Sequence, residues 1–194
     1  MSIALRRPRA LALVAGVTAA AAVSAAGPAA AATVTGTQTA VTPDPGLVTA
    51  LTGLGAKVGL TGAATADASG RFVYPITGGS LTADLKGKIG HTGGLQITPK
   101  AGLKFGIQQF VIDTRREPQL TAVPTLAGFP LGIRVPVATI TDVTVTSAPP
   151  ATVVKGTVKL TDIGALYINT FLGTSAVKRG TVFGTAEATV TLGS

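Results

Sequence analysis

The side chains able to do chemistry are few, and the histidine comes first. His91 is the only histidine, and the chain has no cysteine. Any serine–histidine or cysteine–histidine mechanism would therefore run through His91. No activated nucleophile accompanies it, because none of four serines lies in a Gly-x-Ser-x-Gly turn: Ser69, Ser80, Ser147 and Ser175. The plainer interpretation is a turn residue in the glycine-rich connection Gly90–Gly94.

The acidic side chains are eight in number and dispersed along the chain. Nothing in their spacing indicates the paired acids of a glycosidase, and the ordered oxygen ligands of a calcium loop are absent. Asp44, Asp142 and Asp162 lie where caps or turns are expected. Without cysteine there is also no thiolate metal site. We therefore predict a protein that is not an enzyme, with no catalytic residue and no metal site.

The basic residues do not form the pattern of a nucleic-acid binder. Arg115–Arg116 and Lys178–Arg179 are the only adjacent pairs after the first nine residues, and aromatic residues make up 4% of the chain. Proteins that bind single strands combine a basic groove with aromatic stacking platforms. The scattered charge therefore predicts a mildly basic solvated surface and no nucleic-acid partner.

The first residues have the order of a secretion signal. Arg6, Arg7 and Arg9 precede an apolar run from Ala10 to Ala26, and small residues end the segment at Ala32. A basic region, an apolar region and a small-residue cleavage site define such a signal. We predict that residues 1–32 are cleaved, that the formal charge then falls from +8 to +5 with the loss of three arginines, and that the mature chain is not transmembrane. The alternative is an N-terminal membrane anchor.

The rest of the chain, 33–194, has the size of one domain without cysteine staples. Its first segment, Thr33–Ala40, is expected to be a loose arm or an edge strand. A helix should follow Pro43, with Leu47, Val48, Leu51 and Leu54 on one face and Gly55 as its stop.

The middle and the end of the chain are rich in alternating and β-branched segments. Leu103, Phe105 and Ile107 alternate with polar or small residues, which predicts a strand with one buried face. A second helix should begin at Thr161 or Asp162 and pack an apolar face on the sheet: Ile163, Leu166, Tyr167 and Phe171. The fold class is mainly β, a sandwich or open barrel of short antiparallel strands with two short helices at its edges.

Three stretches resemble the HtaA-type haem-binding domain, a family of secreted actinobacterial domains. They are Tyr74–Gly79, Gly87–Leu95 and Phe110–Thr114. The family carries a Gly-His-x-Gly turn after a strand, followed by a short apolar strand. A tyrosine there ligates the haem iron, and the histidine of the turn supports it. The resemblance implies that, if haem is bound, His91 and Tyr74 are the residues that bind it; an anionic phenolate suits ferric iron.

Two hypotheses of function follow from these patterns. The first is a secreted non-catalytic β domain that acts as a binding or structural module. It would be either extracellular or associated with the cell envelope. It needs no cofactor, and its partner would be a component of the envelope or a small ligand. The alternative is a haem-binding protein related to HtaA-type domains, with haem as its cofactor.

Overall fold

The computed structural model describes residues 31–193, so all but the end of the predicted signal segment lies outside the described residues. The chain forms twelve strands and two helices within that range. They are β1 (Ala32–Pro43), α1 (Pro45–Gly53), β2 (Lys57–Thr61), β3 (Thr65–Ala66), β4 (Phe72–Leu81), β5 (Gly87–His91), β6 (Gly94–Thr98), β7 (Phe105–Asp113), β8 (Gln119–Leu126), β9 (Phe129–Pro130), β10 (Val135–Ala148), β11 (Ala151–Leu160), α2 (Asp162–Leu172) and β12 (Val182–Leu192).

Eight antiparallel strands close into a barrel. Its order is β7-β5-β4-β1-β12-β11-β10-β8, and pairing of β7 with β8 completes the ring. The mainly β class is confirmed, but the sheet is neither a sandwich nor open. The closing pair joins Phe105 to Leu126 and Asp113 to Gln119. Side-chain alternation shows which face of a strand is buried and not which edge it pairs, so closure left no mark in the sequence pattern.

The first strand occupies an interior position in this sheet. β1 pairs with β12 on one edge and with β4 on the other. The expectation of a loose arm or an edge strand over Thr33–Ala40 is therefore wrong. Its threonines suit a pleated sheet as well as a solvated arm, and only the pairing distinguishes the two.

Both helices begin and end where their capping residues predict. Asp44 caps α1 by accepting a hydrogen bond from the Leu47 amide at 2.9 Å, and Thr161 caps α2 by accepting from the Gly164 amide at 3.0 Å. Gly55 and Gly173 follow the two helices with positive φ angles of 71° and 62°. These are local signals, since a cap needs only the residues of one turn.

The buried face of α2 differs from the expected one. Leu166 is 66% exposed and Ile163 is also exposed, whereas Ala165 and Ile168 are buried. At Gly164 a Cβ atom would collide with the Val137 carbonyl oxygen. The helix therefore approaches the sheet through its small residues, which turns Leu166 toward solvent, while Tyr167 and Phe171 pack partly as predicted.

The core consists of three hydrophobic clusters. The central one includes Tyr74 and Phe110; the one at the helical end joins α1 and α2 to Phe105; the third, at the opposite end, includes Val34 and Ile89. The helical end is defined here as the barrel end that carries α1, α2 and the β6–β7 connection. Neither helix within the described residues has the length and apolar character needed to cross a bilayer.

Candidate ligand site in the barrel interior

The barrel contains an apolar cavity of about 80 Å³, partly open to solvent, lined by residues of all three core clusters. Four polar side chains line it among mainly aliphatic and aromatic neighbours: Thr39, Tyr74, His91 and Tyr167. No lysine, arginine, aspartate or glutamate of the described residues lines it. An interior with few voids larger than water is the norm, so a cavity of this size is a notable feature of the core.

His91 lies at the end of β5, where it pairs with Ile76 of β4. It is buried, and both ring nitrogens have partners: Nε2 lies 2.7 Å from Thr39 Oγ1, and Nδ1 lies 3.3 Å from the Phe110 carbonyl oxygen. A carbonyl oxygen only accepts, so Nδ1 carries the hydrogen and donates it to Phe110. Nε2 therefore accepts from the Thr39 hydroxyl.

Burial also fixes the charge of His91. Desolvation lowers the pKa of His91 from 6.5 to about 4, although the Phe110 carbonyl opposes that shift. The ring is thus neutral at pH 7. With both nitrogens bonded and no charge, His91 has the character of a structural residue that ties β5 to β1 and β7.

Tyr74 lies on β4 opposite Thr39 of β1. Its ring packs edge-on against Phe110 at a centroid distance of 4.8 Å, and burial raises its pKa far above the ordinary value of 10.0. No residue within the described range hydrogen-bonds its hydroxyl, yet no fully enclosed polar atom there is left unbonded. The hydroxyl therefore retains some accessible surface, and the residue that carries it lines the cavity.

Tyr167 lines the same cavity from α2 at the helical end. Its hydroxyl donates to the Thr125 carbonyl oxygen at 2.6 Å. Its ring and that of Phe171 pack on Phe105, at centroid distances of 5.5 Å and 4.9 Å. This part of the cavity wall is packed and fully hydrogen-bonded.

The site contains no set of groups for covalent or acid–base chemistry. A general base must reach the proton it removes with a free atom, and the nitrogens of His91 are both bonded. Within residues 31–193 no group of three or more His, Cys, Asp or Glu side chains is placed to hold a metal ion. The arrangement offers shape, apolar surface and one free hydroxyl.

The fold is shared with proteins of known structure. It is similar to the C-terminal domain of HtaA from Corynebacterium glutamicum (TM-score 0.64, 16% identity, covering 84% of this chain and 98% of that one). It is also similar to heme binding protein HtaB from the same organism (TM-score 0.59, 14% identity, covering 84% and 94%). No family model and no curated protein matches the sequence.

These similarities confirm the resemblance to HtaA-type domains and establish it at the level of the fold. A domain-swapped dimer of a histidine variant of the same HtaA domain is likewise similar (TM-score 0.56, 18% identity, covering 76% and 91%). The motif around His91, which suggested the relationship, forms the end of β5, the connection and the start of β6.

The two residues singled out from the sequence line one cavity but do not bond each other. His91 bonds Thr39 and Phe110 instead. Sequence reasoning missed Thr39, which is buried and lies 52 positions from His91. One weak signal existed, since a threonine in an apolar strand needs a hydrogen-bond partner when it is buried.

Proposed function

We propose that the mature chain is an exported, non-catalytic binding module whose ligand occupies the barrel interior beside Tyr74. The observation that carries this proposal is the Tyr74 hydroxyl, which no described residue hydrogen-bonds, in a mainly apolar cavity. Ligand sites are mainly apolar, with a few polar groups that fix orientation. The ligand would be a small apolar molecule with one hydrogen-bond acceptor for that hydroxyl.

The size of the cavity limits this ligand. An apolar cavity of about 150 Å³ in another protein accommodates benzene, and the present cavity is about 80 Å³. Five-membered rings are close to benzene in size, and because the cavity is partly open to solvent a ring of this size is a suitable probe. Cyclopentanone carries an acceptor and cyclopentane does not, so their difference reports the hydroxyl.

The experiment is a thermal melt of the protein with each compound. Ligands that bind only the folded state raise its stability in proportion to the logarithm of their concentration. We expect cyclopentanone to raise Tm more than cyclopentane does. Equal shifts, or none, would remove this proposal.

Export through the signal segment is part of the proposal. β1 begins at Ala32 and the first core residue is Val34, so cleavage before Thr33 leaves the barrel and its core intact. The intact mass of protein recovered from the culture medium should correspond to a start at Thr33. Retention of Met1 would contradict this.

Haem is the second candidate ligand, favoured by the fold shared with a heme binding protein and by the free Tyr74 hydroxyl. The donor type fits, because tyrosine ligates haem iron in some proteins. The volume does not fit: ligand pockets start at about 300 Å³, the cavity measures about 80 Å³, and no lysine or arginine of the described residues lines it to pair with propionates. The site as it stands in this structure therefore does not fit haem.

Titration of haemin into the protein separates the two candidates. If the ligand is a small apolar molecule, haemin should not enter the cavity, and substitutions in the cavity should not change its absorption band. A shift lost in both Tyr74→Phe and His91→Ala, in variants that keep their fold, would establish haem as the ligand and show that the barrel wall opens. A shift retained in both variants would place haemin outside this site.

A further inference from the structure

Exposed apolar side chains are concentrated at one end of the barrel. Ten large hydrophobic residues are exposed within residues 31–193. All but Val143 and Val145 lie on elements of the helical end or on the segment around β9 beside it: Val48, Leu54, Leu103, Phe129, Leu131, Ile133, Ile163 and Leu166. Single exposed apolar residues need no explanation, whereas a cluster indicates an interaction surface.

The densest part of this surface is formed by two neighbouring segments. We call it the rim patch and define it as Leu103, Phe129, Leu131 and Ile133. The segments are held together because the Lys104 carbonyl oxygen accepts from the Ala127 amide at 2.8 Å, and Phe129 pairs with Leu126 beside it. Phe129 is 74% exposed and Leu103 and Ile133 are each 58% exposed.

The charged residues on the two segments that carry the rim patch are of one sign. Lys100, Lys104 and Arg134 are exposed beside it, and neither 94–112 nor 118–141 contains an acidic residue. Gly55, which follows α1, lies against the side chain of Lys100. Apolar side chains bordered by cations are the combination that suits an anionic lipid surface.

We propose that the rim patch docks the barrel on an anionic membrane surface. Phe129 and its apolar neighbours enter the boundary between headgroups and acyl chains, while Lys100 and Lys104 contact the lipid phosphates. The charge complementarity selects this occupant, because a purely apolar protein partner would gain nothing from the cations. The proposal is independent of what the barrel interior binds.

The test is sedimentation of the protein with vesicles. It uses the chain starting at Thr33, whose barrel and core lie wholly within the described residues, so the apolar run Ala10–Ala26 does not contribute. We expect binding to vesicles of mixed phosphatidylglycerol and phosphatidylcholine and much weaker binding to phosphatidylcholine alone. About 1 M salt, which shortens the Debye length to about 3 Å, should weaken it.

Point variants locate the contact. Phe129→Ser should weaken vesicle binding about tenfold through the lost apolar burial, and Lys104→Glu about fivefold or more through the lost attraction. The matched controls, Val145→Ser on β10 and Lys86→Glu near the opposite end, should leave binding unchanged. All four sites are exposed, and circular dichroism melts verify that each variant is folded.

Three outcomes would overturn the proposal. They are no binding to anionic vesicles, equal binding to both vesicle types, and equal loss in the Phe129 variant and its control. Light scattering of the protein alone tests whether a second copy of the chain occupies the rim patch instead. If the wild type is a dimer that does not bind vesicles, and Phe129→Ser is a monomer, the rim patch is a dimer interface.

Discussion

The two tyrosines of this chain line the same cavity in opposite states. At the helical end the Tyr167 hydroxyl bonds the Thr125 carbonyl oxygen, and its ring belongs to a cluster with Phe105 and Phe171. In the middle of the barrel the Tyr74 hydroxyl has no protein partner within the described residues. The first tyrosine is fully hydrogen-bonded within a packed core, whereas the second lines the cavity with a hydroxyl that no described residue bonds.

This difference separates stability from binding. A fully buried hydroxyl without a partner costs about 1–3 kcal/mol, and the cost at Tyr74 is smaller because its hydroxyl retains some accessible surface. Its neighbour His91 is fully bonded and holds the strands around it. We infer that the Tyr74 hydroxyl, rather than the His91 imidazole, is the functional group of the site.

The largest effect should come from the packed region. Phe105 is 1% exposed and contacts two aromatic rings, and truncation of a buried phenylalanine to alanine costs about 3–5 kcal/mol. Urea melts of Phe105→Ala should show this loss in the free energy of unfolding. Leu166 is exposed on α2, so Leu166→Ala should lower the free energy of unfolding by less than about 0.5 kcal/mol. A loss as large as that of Phe105→Ala would mean that α2 packs through Leu166.

The next effect is the pH dependence carried by His91. Its folded pKa of about 4 lies below the ordinary 6.5, so the unfolded chain binds the proton more readily. Stability from this group is therefore complete above pH 6.5 and is lost as the pH falls from 6.5 toward 4, by about 3 kcal/mol at 1.36 kcal/mol per pH unit.

The variant His91→Gln isolates that contribution. Glutamine does not titrate, so the difference between wild type and variant should shrink over this pH window. Hydrogen bonds from Arg71, Arg115 and Thr141 lower the pKa values of Asp67, Asp113 and Asp142. These carboxyl groups are present in both proteins, so their contribution cancels in the difference. Parallel stability curves for the two proteins between pH 6.5 and 4 would show that His91 is not buried as described.

The smallest effects distinguish the two tyrosines directly. Tyr167→Phe removes the hydrogen bond to Thr125 and should cost about 1 kcal/mol. Tyr74→Phe removes an unpartnered hydroxyl and should be neutral or stabilising by up to about 1 kcal/mol. Chemical denaturation of both variants measures this, and a loss at Tyr74 equal to that at Tyr167 would reveal a hidden partner.

The sequence predicted what depends on neighbouring residues. Asp44, Thr161, Gly55 and Gly173 act within one helical turn, and the caps and stops lie where they were expected. The apolar alternation likewise predicted a mainly β chain. The motif around His91 gave the resemblance to HtaA-type domains, because it is contained in a few consecutive residues.

What depends on distant pairing was not predictable. Closure of the barrel joins β7 to β8. The alternation of apolar and polar side chains along a strand does not specify which strand it pairs with. The contact of His91 with Thr39 requires β1 and β5 to lie on either side of β4. The face of α2 depends on the close approach at Gly164, so the exposure of Leu166 could not be read from helical spacing.

The central claim is that the Tyr74 hydroxyl hydrogen-bonds a ligand in the cavity. The most direct test compares cyclopentanone and cyclopentane in the two tyrosine variants. In thermal melts, cyclopentanone should stabilise the wild-type protein and Tyr167→Phe more than cyclopentane does, by about 0.5–1.5 kcal/mol for one hydrogen bond. In Tyr74→Phe this advantage should vanish. An advantage that persists in Tyr74→Phe, or vanishes in Tyr167→Phe instead, would contradict the assignment of the site.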